Sequence, residues 1–251
     1  PNGPIVTAIG DYDGFINDSP FEYGRHQNSD AGTVTSLAVA YENPDVWVKC
    51  SRTSFYYTLD SGDKWSKAEV EDKVGNGDAC VSVSADGKRF FWAADKTWDS
   101  KIEIDMYYSD DKGDTWNICE GIQSAKYVVC DPVNPDYVYA TNSNSFYVSS
   151  DGGKSFKATF TLFSDTRITV MPGREGVVYL PAMGLQVSAD HGITFTRNKS
   201  LAECRGVGVG KGKDDSCDAI YIWGKPTEDD IIGIYWSTDG GITWSPVTQG
   251  T

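Results

Sequence analysis

Short apolar runs alternate along this chain with clusters of Asp, Asn, Ser, Gly and Pro, and no apolar stripe recurs at helical spacing. Ser145-Phe146-Tyr147-Val148 and Tyr137-Val138-Tyr139-Ala140 typify the runs. Their β-branched and aromatic residues suit a pleated, packed surface, so each reads as a strand. The polar clusters between them read as turns. Asp131-Pro132-Val133-Asn134-Pro135-Asp136 is the clearest, with counterparts at Asn43-Pro44-Asp45, Ala85-Asp86-Gly87-Lys88 and Pro172-Gly173-Arg174-Glu175-Gly176.

A second turn signal recurs at intervals. Thr58-x-Asp60-x-Gly62-x-x-Trp65 returns as Ser109-x-Asp111-x-Gly113-x-x-Trp116 and Ser149-x-Asp151-x-Gly153-x-x-Phe156. It returns again as Ser188-x-Asp190-x-Gly192-x-x-Phe195 and Ser237-x-Asp239-x-Gly241-x-x-Trp244. The aspartates are spaced 51, 40, 39 and 49 residues apart, a period that marks a solenoid, propeller or array. In such an Asp box the carboxylate bonds the N–H groups of its own turn, glycine accepts a positive φ, and the aromatic starts the next strand. Each period then holds four strands, and four antiparallel strands make one blade. The chain therefore reads as an all-β propeller of four-stranded antiparallel blades. Five whole blades are expected at about residues 33–70, 80–121, 125–160, 167–197 and 206–248. Residues 1–32 hold only part of a further blade of the same domain, which fits a piece of a larger chain.

Charge and cysteine content narrow the function. The 251 residues carry 36 Asp+Glu against 22 Lys+Arg, a net charge of −14. That balance argues against nucleic acid, whose phosphates need a basic face, and leaves a neutral polysaccharide open as a partner. No stretch approaches the ~18 apolar residues of a membrane-spanning helix, so no membrane partner is expected. The six cysteines match no zinc spacing, and the box carboxylates are spread over separate blades, so neither a metal nor a cofactor is expected. Disulfides and buried free thiols both fit the cysteines.

In an antiparallel meander, successive turns alternate between the two ends of a blade. The first turn of each blade and its Asp box then share one face, and the loops between the second and third strands open on the other. The first such loop is Gly10-Asp11-Tyr12-Asp13-Gly14-Phe15, with two carboxylates between glycines. An Asp at a strand end beside aromatics can serve as a general acid, and an Asp-Gly turn would look the same. Aromatics and amides on the same face suit sugars, whose C–H faces stack on rings and whose hydroxyls seek hydrogen bonds. Tyr12, Asp13, Phe15, Trp98, Asn142 and Trp223 are the candidate substrate contacts. Packing within the blades is the competing role for Trp98 and Trp223.

The stretch Ile5 to Phe15 resembles the Gly-Asp-x-x-Gly-Phe motif of glycoside hydrolase family 74, the xyloglucan-cleaving enzymes. The likeness runs on through Asn43-Pro44-Asp45, Val83-Ser84-Ala85-Asp86-Gly87, Phe146-Tyr147-Val148-Ser149 and Ala219-Ile220-Tyr221-Ile222-Trp223-Gly224. The resemblance implies most of a seven-bladed C-terminal propeller, facing an N-terminal propeller of the same protein across a cleft. It implies inverting hydrolysis of a β-1,4-glucan backbone, with the general base in the N-terminal propeller and Asp11 as the general acid. It also implies plant cell-wall polysaccharide as substrate and a secreted protein. The family continues Gly-Phe-x-His, where this chain has Gly14-Phe15-Ile16-Asn17, and its two histidines, His26 and His191, lie elsewhere in sequence. A non-catalytic glycan-binding propeller is the alternative reading of the same face.

Overall fold

The computed structural model describes residues 4–51, 54–68, 79–94, 105–212 and 218–247. These residues form strands and turns, arranged as six antiparallel sheets. Blade 1 has three strands, β1 (Ile5–Val6), β2 (Phe15–Asn17) and β3 (Arg25–His26). Blade 2 holds β4 (Val34–Val39), β5 (Trp47–Ser51), β6 (Ser54–Thr58) and β7 (Ser66–Ala68). Blade 3 holds β8 (Cys80–Val83), β9 (Phe90–Ala93), β10 (Met106–Ser109) and β11 (Asn117–Ile118). Blade 4 holds β12 (Tyr127–Cys130), β13 (Val138–Thr141), β14 (Ser145–Ser149) and β15 (Lys157–Thr161). Blade 5 holds β16 (Thr169–Val170), β17 (Val178–Pro181), β18 (Leu185–Ser188) and β19 (Thr196–Arg197). Blade 6 holds β20 (Glu203–Lys211), β21 (Asp218–Lys225), β22 (Gly233–Ser237) and β23 (Ser245–Pro246). The fold is the all-β propeller that the repeat implies.

Each blade runs from an inner strand to an outer one. β4, β8, β12, β16 and β20 contribute to the wall of a central cavity of about 1150 Å³. Hydroxyls on these inner strands tie neighbouring blades together. Ser36 accepts the N–H of Val81 at 3.1 Å, Ser82 accepts that of Cys130 at 3.0 Å, and Thr169 donates to the carbonyl of Val207 at 3.1 Å. In blades 2, 3 and 4 each sheet lies between two others, so the middle strands β5, β9 and β13 are buried on both faces and lack the alternation of a half-exposed strand. Apolar clusters fill the gaps between blades. Phe55 of blade 2 packs against Phe90 and Trp116 of blade 3, with ring centroids 5.7 and 5.0 Å apart.

The Asp boxes close the outer hairpins. Asp151 accepts from Ser149 Oγ at 2.7 Å, from the N–H groups of Lys154 and Ser155 at 3.0 Å each, and from Ser155 Oγ at 2.6 Å. Asp111, Asp190 and Asp239 repeat this pattern. The N–H of Gly152 reaches the carbonyl of Asp136 at 2.8 Å, and that of Ser61 reaches Asp45 at 3.0 Å. These bonds, with that of the His191 N–H to the Gly176 carbonyl at 3.0 Å, join the boxes of blades 2, 4 and 5 to the first turns of their own blades and put both on one face. The second-to-third-strand loops are left on the opposite face. Cys80, Cys119, Cys130 and Cys204 are free thiols, and Cys217 lies outside the described residues. Burial pushes the Cys130 thiol up to about 12, so this sulfur packs as a small apolar group.

Candidate active site

The loop between β1 and β2 is a tight reversal. Thr7 N–H donates to the carbonyl of Phe15 at 2.9 Å, and Ile9 N–H to that of Asp13 at 3.1 Å. Asp11 and Asp13 both take the left-handed conformation, at φ 65° and 58°. Gly14 has φ 154°, and a Cβ there would lie 1.9 Å from the carbonyl oxygen of Thr7. Only glycine lets the two arms of the loop approach this closely.

The two carboxylates of the loop have opposite surroundings. Asp11 is exposed. Its N–H donates to Thr33 Oγ1 at 3.2 Å, and the same hydroxyl donates to Asp11 Oδ1 at 2.8 Å. The other carboxyl oxygen has no partner among the described residues. Asp13 points inward and is 3% exposed. It accepts the Ser29 N–H at 2.8 Å and the Ser29 hydroxyl at 2.9 Å, and it forms an ion pair with Lys49 of β5. Burial works against its charge, but Lys49 and Ser29 outweigh burial and hold the carboxyl below the ordinary aspartate range. Asp13 is therefore an ionised anchor, turned away from any polysaccharide lying on the face, and the expected sugar contact gives way to this role.

An aromatic patch stands beside Asp11. The Tyr12 ring is 60% exposed and stacks on Phe15, with centroids 5.8 Å apart and planes 24° apart. His26 meets both rings edge-on, at 5.1 Å from Tyr12 and 5.6 Å from Phe15. Its Nε2 lies 3.2 Å from the carbonyl oxygen of Tyr12, and its Nδ1 lies 2.7 Å from Asn28 Oδ1. The pairing of β2 with β3 puts His26 directly opposite Phe15. His26 thus enters the site from the next strand, although in sequence it lies outside the motif. The cue was the turn-rich stretch Asp18-Ser19-Pro20 to Gly24, which folds residue 26 back against residue 15. Asn17, two residues beyond Phe15, instead donates to the carbonyl of Glu22 at 3.0 Å and braces that turn.

The remaining candidates fall elsewhere. Asn142 donates to the Gln123 carbonyl and to the Tyr147 hydroxyl, and its Oδ1 accepts two backbone N–H groups at 2.9 Å. Its amide is committed to holding its own turn. Trp223 lies within β21 rather than on a loop, opposite Ile234 of β22. The corresponding pair in blade 4 is Thr141 and Phe146, both fully buried between blades. Trp223 occupies a blade-packing position, on a face that no blade of the described residues covers. Trp98 lies outside the described residues. The structure therefore groups Asp11, Tyr12 and Phe15, adds His26, and separates them from Asn142 and Trp223. Among the described residues no group of three or more His, Cys, Asp or Glu is placed to hold a metal.

Residues 235–246, around the last box, match the BNR/Asp-box repeat family. Over 261 residues the chain is 30% identical to the xyloglucanase Xgh74A of Acetivibrio thermocellus, a match that takes in 97% of this chain and 30% of that protein. Its fold superposes on the crystal structure of the GH74 enzyme of Niastella koreensis with a TM-score of 0.82 and 26% identity, covering 99% of this chain and 36% of that one. The chain is a homologue of the family 74 xyloglucanases. The GH74 xyloglucanase of Xanthomonas campestris has the same fold, with a TM-score of 0.83, 24% identity, and 99% and 38% coverage. The chain spans about a third of the length of these relatives.

Proposed function

We propose that this chain is the acid-bearing wall of a secreted, xyloglucan-cleaving glycoside hydrolase, completed by a second propeller of a longer protein. The observation that carries the proposal is the pairing of an exposed Asp11 carboxyl with the exposed Tyr12 ring on the loop face. A sugar stacked on Tyr12 lies within reach of a group able to give up a proton.

Asp11 acts as the general acid. Its carboxyl proton passes to the glycosidic oxygen as the bond from that oxygen to the anomeric carbon breaks. A water, deprotonated by a base on the far side, adds to the anomeric carbon and inverts its configuration. Inversion requires the two carboxyl groups about 6.5–9.5 Å apart, with room for that water between them. Asp13 is not the base, because it is buried and ion-paired. The base is assigned to the facing propeller. Thr33 holds one oxygen of Asp11 and leaves the other for the substrate.

The test is Asp11→Asn in the full-length protein. Turnover of xyloglucan should fall by about 10²–10⁴-fold while binding persists, because the amide keeps the shape and loses the proton. Unchanged turnover would leave a glycan-binding propeller as the better account of this face.

A further inference from the structure

Beneath the acid loop lies a buried ammonium that this chemistry does not use. Lys49 sits in the middle of β5 with 0% exposure. Its Nζ contacts the Asp13 carboxylate, donates to Gln27 Oε1 at 2.6 Å and stands 3.8 Å from the ring centroid of Trp65. Gln27 in turn donates from Nε2 to the carbonyl of Thr7 at 2.8 Å. One cation from blade 2 thus grips blade 1 at two points, Asp13 within the loop and Gln27 beyond β3, and Gln27 carries the grip on to Thr7 before the loop.

A buried ion pair is a weak source of stability, since apolar residues of the same volume often serve as well. Its geometric consequence here is specific. Asp11 and Asp13 are non-glycine residues in the left-handed region, and such residues persist only where their surroundings over-determine them. Asp13 is drawn inward by Lys49 and Ser29, and its N–H donates to the carbonyl of Gly32 at 2.6 Å. With Asp13 held, the residue two places earlier is directed outward.

We infer that Lys49 is a positioning residue for Asp11: by holding Asp13 inside, it fixes the turn that presents the Asp11 carboxyl to substrate. The inference rests on Asp11 being the general acid. Lys49 touches no substrate and acts through the backbone of the loop.

The experiment uses the full-length protein with Lys49→Met, Lys49→Met/Asp13→Asn and Asp11→Asn. The paired variant removes both charges, so no unpaired ion is left buried. Gln27→Met loosens the same ammonium without removing a charge and provides a milder second variant. Turnover per folded molecule is measured on xyloglucan and on a dinitrophenyl glycoside of the same glucan, whose acidic leaving group needs little protonation. In the paired variant, kcat on xyloglucan should fall by about 10–100-fold with KM little changed, the effect of a catalytic group displaced by about 1 Å. The loss on the dinitrophenyl substrate should be several-fold smaller, and Gln27→Met should show the same split with smaller losses. Equal losses on both substrates, or none, would overturn the inference. If Asp11→Asn impairs xyloglucan turnover and the paired variant does not, the Lys49 role alone fails. If Asp11→Asn has no effect, the acid assignment fails and takes the Lys49 role with it.

Discussion

His26 Nε2 stands 3.2 Å from the carbonyl oxygen of Tyr12, so the imidazole braces both the backbone and the ring of the residue beside Asp11. An aromatic contact of this kind contributes about 0.5–1.5 kcal/mol beyond burial, roughly 2–10-fold in affinity. In the full-length protein, His26→Ala should raise KM for xyloglucan by that factor and change kcat less. Steady-state kinetics check this, and an unchanged KM would remove Tyr12 and His26 from the substrate surface.

The Asp boxes carry structure rather than chemistry. Asp151→Ala removes the acceptor for two N–H groups and two hydroxyls and should cost about 0.5–2 kcal/mol, as a lost helix cap does. Glycan binding by the full-length protein should not change. Thermal unfolding and a binding isotherm on the same variant separate the two roles.

Gly153→Ala in the same turn should be the more damaging change. Gly153 has φ 83°, and a Cβ there would lie 2.2 Å from Cε1 of Phe91 in blade 3. Phe91 is fully buried and has no room to yield. Overpacking of about 1–3 kcal/mol adds to the strain of a left-handed alanine. A melting temperature equal to that of wild type would refute this close packing of box against blade.

Acid should loosen the propeller through these same turns. Burial pushes the Asp151 carboxyl up, but hydrogen bonds from Ser155, Ser149 and the Lys154 N–H outweigh it and bring it to about 2, against an ordinary 3.8. Hydrogen bonds within the turns also lower Asp60, Asp111, Asp190 and Asp239. A group depressed on folding contributes its stability above the unfolded value and loses it as pH falls through the folded one. The melting temperature should therefore decline between about pH 4 and pH 2, with a shallower slope in Asp151→Asn. Identical slopes would show that the box carboxylates are not the groups being titrated.

Equivalent positions on different blades should respond oppositely. Phe146 is fully buried between blades 4 and 5, whereas Ile234, its counterpart in blade 6, is exposed beside Trp223. Phe146→Ala should destabilise the isolated chain by about 3–5 kcal/mol. Ile234→Thr with Trp223→Thr should barely move its melting temperature and should reduce self-association, measured by light scattering, because it shrinks an exposed apolar patch.

The sequence by itself determined the architecture. A Ser/Thr-x-Asp-x-Gly turn is a local device whose donors and acceptors lie within a few residues, so each box can be read without knowing what surrounds it. Their spacing then implies the blade, and the alternation of hairpin ends implies which loops share a face. The tertiary structure alone decided which carboxylate of Gly10-Asp11-Tyr12-Asp13-Gly14 is available. Asp11 and Asp13 are two residues apart with similar φ values, and what separates them is Lys49, 36 positions beyond Asp13 on another blade. The same holds for His26, brought to Tyr12 by strand register, and for Trp223, whose place at a strand end looks like a loop until its sheet partner is known. Local turn chemistry is written in neighbouring residues, whereas burial and ion pairing depend on groups that meet only when the blades close around one axis.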